Sequence, residues 1–214
     1  MGLALITLHG TPKSRALRVS WLLEELNLDW TFSYLDFSKG ANRSPEYLAL
    51  NPSGKMPVLQ DGDLVITESA AICMYLAEKY GHGKLLPKAG TLESARHHEW
   101  ISFIITEFEQ PLWSMGKHKF ALPAEVRIAD MRNTAIWEFN KAAELAENKL
   151  PDSLYLLGDE LTVADILLAQ TLLWAQVFEQ TLPPKLTAYF ERMQQLPSLA
   201  RAIDKAKASI PEET

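Results

Sequence analysis

The stretch Asn51–Tyr80, NPSGKMPVLQDGDLVITESAAICMYLAEKY, constrains this chain more than any other. Val58–Gln60 and Leu64–Ile66 are short β-rich runs, and Asp61-Gly62-Asp63 between them has the turn chemistry of a hairpin. Thr67, Glu68 and Ser69 then open a helix whose apolar positions Ala71, Ile72, Tyr75 and Leu76 fall at helical spacing. Two features go beyond architecture. Pro57 stands at the start of a strand, where it has no N–H to give a ladder; if the bond before it is cis, the backbone of Met56 turns outward and can pair with an extended peptide. Glu68 and Ser69 stand at a helix N-terminus, where N–H groups and the positive dipole end welcome a carboxylate, while Glu68 can bind an ammonium. An α-amino acid head group carries both charges, so the site suits the amino-acid end of a small peptide. Singly, a proline before a strand and a serine before a helix are ordinary boundaries. Their order is what points to a site.

The flanking sequence extends the pattern. Residues 3–8 are a continuous apolar run suited to a buried strand, broken by Gly10-Thr11-Pro12-Lys13. Ser14 to Leu26 predicts a helix with Val19, Leu22, Leu23 and Leu26 on one face, and Trp30 to Phe37 a second strand. Strand, helix and strand at this spacing imply a parallel pair with a right-handed crossover. Ser44 caps, and Pro45 opens, a short helix. The element order is βαβαββα. After Gly81-His82-Gly83-Lys84 through Gly90 the pattern turns almost wholly helical, which predicts an α/β domain over 1–83, a linker over 84–90 and an all-α domain over 91–214. The second domain opens with a helix from Thr91 to Gly116 interrupted near Pro111. Another runs from Pro123 to just before Pro151. Thr162 and Asp165 form a capping-box pair ahead of an apolar helix, Ile166 to Val177. Two shorter helices follow, broken at Pro183-Pro184 and Pro197.

A formal net charge of -6 argues against general nucleic-acid or anionic-membrane binding. No apolar run reaches the roughly 18 residues of a membrane span, and the N-terminus reads as a strand rather than a signal peptide. A single cysteine, Cys73, forms no internal disulfide. It lies in an apolar helix segment and reads as structural, and the expected location is the cytoplasm. His97-His98 lack a partner at metal-ligand spacing and read as packing or surface residues; no metal is expected.

Chemistry is expected where the first strand meets the first helix, since ligands of mostly parallel sheets bind beyond the strand C-termini. Thr11 and Ser14 lie there. A hydroxyl donating to sulfur at the positive end of a helix favours thiolate over thiol, and the thiolate is the nucleophile. Either residue fits this role; so does the plainer reading of Ser14 as a helix cap.

Gly-Lys-Met-Pro-Val-Leu, the Asp-Gly hairpin, Thr-Glu-Ser-Ala-Ala-Ile and Ser-Arg-Ala-Leu-Arg-Val-Ser-Trp-Leu-Leu-Glu-Glu-Leu together resemble the N-terminal half of cytosolic glutathione S-transferases, in particular bacterial-type, serine- or threonine-dependent members with theta- and phi-like motifs. The resemblance implies a thioredoxin-like N-terminal domain followed by an all-helical bundle. It implies glutathione as co-substrate, with Pro57 cis, Met56 pairing through its backbone with the cysteinyl unit, and Glu68 and Ser69 holding the γ-glutamyl end. It implies that Ser14, with Thr11 as the alternative, activates the thiol. It also assigns Asn42, Arg43 and Lys55 to the glycine carboxylate, although a solvated basic loop explains Arg43 as well. Trp113, Met115 and Phe120 are candidates for a hydrophobic-substrate pocket, or simply core. The implied activity is transfer of the glutathione thiolate to hydrophobic electrophiles by a homodimer. Glutathione-dependent peroxide or disulfide reduction, and a non-catalytic interaction module of the same fold, are the competing readings. The first turn has no cysteine, which disfavours a mixed disulfide on an enzyme thiol.

Overall fold

The computed structural model describes residues 6–211. Of these, residues 6–86 with 195–211 make one compact unit and residues 87–194 another. The first unit begins with β1 (Ile6–Gly10), α1 (Ala16–Glu25), β2 (Trp30–Tyr34), α2 (Pro45–Leu50), β3 (Val58–Asp61), β4 (Leu64–Thr67) and α3 (Ser69–Tyr80). Residues 3–5 of the expected first strand lie outside the described residues. The strands form one sheet in the order β2-β1-β3-β4, with β1 and β2 parallel and the other two pairs antiparallel. Ile6 and Leu8 of β1 and Val58 and Leu59 of β3 are buried, as befits strands in the middle of a sheet.

Three local details differ from the sequence pattern. β2 ends at Tyr34 rather than Phe37, because the Asp36 carboxylate accepts the N–H groups of Ser38 (3.0 Å) and Lys39 (3.3 Å) and starts a 3-10 turn over Phe37–Lys39. The hairpin loop is only two residues, with Gly62 at φ +60°, the left-handed first position of a II′-type turn. The buried face of α3 is Ser69, Ile72, Cys73, Leu76 and Ala77, so Ala71 is exposed. Tyr75 leaves that face because its hydroxyl donates to Asp61 Oδ2 (2.7 Å), as do Tyr80 Oη (2.7 Å) and Lys79 Nζ (2.8 Å). Burial opposes ionisation of Asp61, but these donors outweigh it and hold the carboxyl below its usual range. Ser44 caps α2 as expected, accepting the Tyr47 N–H, with Pro45 in the first turn.

The second unit contains α4 (Leu92–Phe103), α5 (Glu109–Gly116), α6 (Met131–Lys149), α7 (Val163–Val177) and α8 (Pro184–Gln194). α4 and α5 continue one another through a π-helical turn, Ile104–Phe108, and a second π turn, Lys117–Ala121, extends α5. The interruption therefore lies just ahead of Pro111, which has no N–H to give the helix and follows close after the π turn. α6 begins at Met131, well after Pro123. Arg127 reaches back to the carbonyls of Leu122 (Nε, 2.7 Å) and Phe120 (Nη2, 3.0 Å), and the Ile128 N–H donates to His118 Nδ1 (3.0 Å), so residues 122–128 are held as a loop with a 3-10 turn at Ala124–Val126. Phe108 and Phe139 stack at 5.1 Å in the core of this unit.

The start of α7 is the most heavily bonded point of that core. Asp165 accepts from Thr162 N (2.9 Å), Thr162 Oγ1 (2.7 Å), Leu156 N (2.8 Å) and Tyr189 Oη (2.8 Å), and the expected capping box is complete. His97 is a packing residue here: buried, it accepts the Ala164 N–H through Nε2 (3.3 Å).

The last helix, α9 (Pro197–Ala208), belongs to the first unit. The all-helical segment expected over 91–214 is thus divided. The cause is an amphipathic face, Leu199, Ala202 and Ala206, that packs on α1, reinforced by Trp21 Nε1 donating to Ser198 Oγ (3.0 Å) and Arg201 Nε to Glu24 Oε2 (3.0 Å).

Candidate functional site

The sheet register brings the candidate residues of the first unit to one end. His9 pairs with Val58, and Val58 with Thr67. Thr11 and Ser14 follow the C-terminal end of β1, Met56 and Pro57 precede antiparallel β3, and Glu68 and Ser69 follow β4. β2 ends beside them, since Tyr34 pairs with Gly10 and the Leu35 N–H donates to the Gly10 carbonyl (2.9 Å). Four separate segments therefore open at the same edge, as strand ends in such sheets do at binding sites.

Gly10 makes the first turn possible. A Cβ there would lie 2.6 Å from Ala16 Cβ, so any larger residue would push α1 off the strand. The half-buried Ser14 hydroxyl donates to the Thr11 carbonyl (2.8 Å) and accepts the Ala16 N–H (3.1 Å). The N-cap of α1 is Arg15, so Ser14 stands one residue ahead of it and bonds the first helical N–H from there. This places the oxygen at the N-terminal end of α1, where the helix dipole favours a negative partner.

At the second segment the Met56–Pro57 bond is cis, and both residues lie ahead of the first paired position of β3. At the third, Glu68 is exposed and adopts φ +67°, a left-handed backbone that costs a non-glycine residue about 1–3 kcal/mol and that clusters at functional sites. The Glu68 side chain makes no cap bond to α3, so it leaves the first N–H groups of this helix open at the site.

Sequence reasoning missed Arg18. It is 1% exposed on α1 and donates from Nη1 to Ser69 Oγ (3.3 Å), which sets a permanent positive charge under the N-terminus of α3. No local signal in the sequence marked it: only in the structure is every position of α1 from Ala16 to Leu23 buried. Arg18 also acts on Cys73: burial pushes that thiol up to about 12 and the guanidinium pulls the other way, so Cys73 is an inert core residue.

The basic loop divides by role. Asn42 is buried and its Nδ2 donates to the Gly54 carbonyl (2.8 Å), which makes it a brace between two turns rather than a surface donor. Arg43 and Lys55 are exposed. Gly54, at φ +64°, admits the Arg43 guanidinium so closely that a Cβ would stand 2.9 Å from Nη1. Tyr47 Oη and Asn51 Nδ2 both donate to the Lys55 carbonyl (2.7 Å each), fixing the backbone that leads into Met56.

Trp113, Met115 and Phe120 belong to the second unit. Met115 is buried at the wall of a cavity, Phe120 is largely exposed, and Trp113 is half-buried. Among the described residues no cluster of three or more histidine, cysteine or acidic side chains is placed to hold a metal, and no helix is long and apolar enough to cross a membrane.

Comparison with known proteins identifies the family. Residues 4–78 match the family model of the glutathione S-transferase N-terminal domain, and residues 110–197 that of the C-terminal domain. A probable glutathione S-transferase GSTF2 of Oryza sativa subsp. japonica is 32% identical over 171 residues, spanning 77% of this chain and 78% of the relative. A glutathione transferase homolog from Lodderomyces elongisporus, solved with two GSH per subunit, superposes with a TM-score of 0.85 at 26% identity over 94% of this chain and 99% of that one. A glutathione transferase from Methylococcus capsulatus gives 0.84 at 28% identity over 95% and 100%. The chain belongs to the glutathione S-transferase family.

Proposed function

We propose that this glutathione transferase binds reduced glutathione at the open sheet end of its first unit and transfers the thiolate to hydrophobic electrophiles. The observation that carries the reading is the convergence of the first turn, the Met56–Pro57 segment ahead of β3 and the start of α3 on one edge. The γ-glutamyl carboxylate takes the N–H groups and Ser69 at the start of α3, over the Arg18 charge, and its ammonium pairs with Glu68. The backbone of Met56 pairs with the cysteinyl unit, and Arg43 and Lys55 neutralise the glycine carboxylate, with Asn42 shaping the turn behind them. Holding the tripeptide at both ends fixes the sulfur and lowers the entropic cost of reaction. The Ser14 hydroxyl then exchanges the Thr11 carbonyl for the sulfur and stabilises the thiolate; Thr11 is the alternative donor. The protein works as a cytoplasmic homodimer that needs no metal.

Titration calorimetry with glutathione, followed by turnover on a panel of aryl halides, enones and peroxides, tests this reading. Binding with turnover of the carbon electrophiles is expected. Binding with turnover of peroxides alone would reassign the chemistry to reduction, and no binding at millimolar glutathione would leave an interaction module. Sedimentation should give twice the 24.1 kDa of the monomer; a clean monomer would rule out the dimer.

A further inference from the structure

Side chains bond the backbone of the loop ahead of β3 as far as Lys55, and the bonding stops one residue short of Pro57. Asn51, the C-cap of α2, accepts the Ser53 N–H (3.1 Å) and the Ser53 hydroxyl (2.9 Å) on its side-chain oxygen, and its own carbonyl accepts the Gly54 N–H (2.9 Å). The Lys55 N–H donates to Ser53 Oγ (3.2 Å). Buried Asn42, in the 3-10 turn Ala41–Arg43, takes up the Gly54 carbonyl, and the Lys55 carbonyl receives two donors, Tyr47 Oη and Asn51 Nδ2. Each backbone N–H from Ser53 to Lys55 is thus bonded, as are the carbonyls of Gly54 and Lys55. The Met56 backbone makes no hydrogen bond among the described residues, so its N–H and C=O are the groups left for an incoming peptide.

Of these donors Tyr47 is the one rooted in the core. It is 3% exposed, its ring packs with Leu35 and Val58, and Met56 rests against the same cluster. The His9 ring meets it edge-on at 6.4 Å between centroids, and His9 Nε2 is hydrogen-bonded to Gln60 Oε1 (2.6 Å), which ties the ring to β1 and β3. Burial pushes the Tyr47 hydroxyl up to about 12, so it stays protonated and keeps donating. A phenylalanine would fill this core equally well; only the hydroxyl reaches the loop. Its lever is short. The Lys55 carbonyl and the Met56 N–H are the two ends of one planar trans peptide unit and point in opposite directions, so holding the first aims the second.

We infer that Tyr47 is a positioning residue for glutathione: by holding the Lys55 carbonyl, its hydroxyl turns the Met56 N–H towards the cysteinyl unit. The inference rests on the glutathione site proposed above. Tyr47 touches no reacting atom. A loop that is already turned loses less freedom when the tripeptide arrives, so the hydroxyl acts on binding. The thiolate, once in place, is stabilised from the other side of the site, at the first turn.

The test is Tyr47→Phe in the full chain, read by titration calorimetry, thiolate absorbance and turnover of an electrophile. Glutathione affinity should fall about five- to tenfold and KM for glutathione rise in step, while kcat at saturating glutathione and the pKa of the bound thiol stay at their wild-type values. Asn51 Nδ2 still serves the Lys55 carbonyl, so nothing buried is stranded and the melting temperature should stay within about 3 °C. Tyr189→Phe is the control: it also removes a buried hydroxyl, the donor to Asp165, and should lower the melting temperature with glutathione affinity unchanged. γ-Glutamylcysteine, which lacks the glycine, should lose as much affinity in Tyr47→Phe as glutathione does, because the Met56 contact is common to both. Equal glutathione affinity in wild type and Tyr47→Phe overturns the inference, as does a fall in kcat with affinity unchanged. So does a loss that vanishes with γ-glutamylcysteine, which would transfer the effect to the Lys55 side chain. Wild-type protein that binds no glutathione would overturn the site and this inference together, whereas wild-type binding with an indifferent Tyr47→Phe overturns the inference alone.

Discussion

α3 and α7 both begin directly after a bend in the chain, and their first turns are finished in opposite ways. The start of α7 is closed: Thr162 and Asp165 bond reciprocally, His97 covers the Ala164 N–H, and Tyr189 and Leu156 occupy the rest of the carboxylate. The start of α3 is left open. Its N-cap residue, Glu68, gives no side-chain bond and stands in a left-handed backbone, and the buried charge beneath belongs to Arg18. A helix N-terminus offers the same N–H groups in either case. One end uses them in the fold, and the other leaves them open where glutathione is proposed to bind.

If that contrast holds, substitutions at the two ends should separate stability from binding. The largest effect is expected for Asp165→Ala. It strands the Leu156 and Thr162 N–H groups and the Tyr189 hydroxyl in the core, and should cost about 3–5 kcal/mol in urea unfolding. A loss below about 1 kcal/mol would mean that the closed end contributes little.

Next is a pH dependence at the same end. Burial, and then neighbouring His98, push the His97 ring down to about 4 from 6.5. The unfolded chain therefore binds the extra proton more readily than the folded one between these values. His97 contributes fully above pH about 6.5, and stability falls as pH drops towards 4, by up to about 3 kcal/mol. His97→Gln keeps an acceptor for Ala164 without titrating, and should flatten that part of the stability profile. An unchanged slope would place the acid sensitivity elsewhere.

At the open end, Glu68→Ala should lower glutathione affinity by about 10- to 100-fold through loss of a charge-assisted partner. The melting temperature should stay level or rise, because the change removes charge but no cap. A fall in melting temperature with unchanged affinity would make Glu68 structural and collapse the contrast. The smallest effect concerns Ser14. Ser14→Ala should raise the pKa of the bound thiol by about one to two units, read from thiolate absorbance, with affinity within a few-fold. If Thr11→Ala shifts the curve instead, Ser14 serves only the turn it already bonds.

The two ends also differ in how far the sequence revealed them. The Thr162–Asp165 box was legible because its bonds are local and its spacing is specific. The hairpin, the short α2 and the motif order around Pro57 and Glu68 were legible for the same reason. Arg18 was not, because its partner is 51 residues away and nothing local distinguishes a buried arginine from a solvated one. The buried bracing role of Asn42 was hidden likewise, since it depends on Gly54 folding back over it. The π turns around α5 escaped because periodicity hardly registers one extra residue in a long helix.

The return of α9 to the first unit has a consequence for how the protein is made. The indole of Trp21 finds its hydrogen-bond partner in Ser198, and Glu24 finds Arg201, 177 residues later in both cases. During synthesis the strands and α1 to α3 leave the ribosome long before the helix that covers α1. The first unit must wait, with the Trp21 indole lacking its final partner, until Pro197–Ala208 has been translated. A fragment cut at the linker has no such helix to wait for, so the first unit that looks separable in sequence would lack the helix that covers α1.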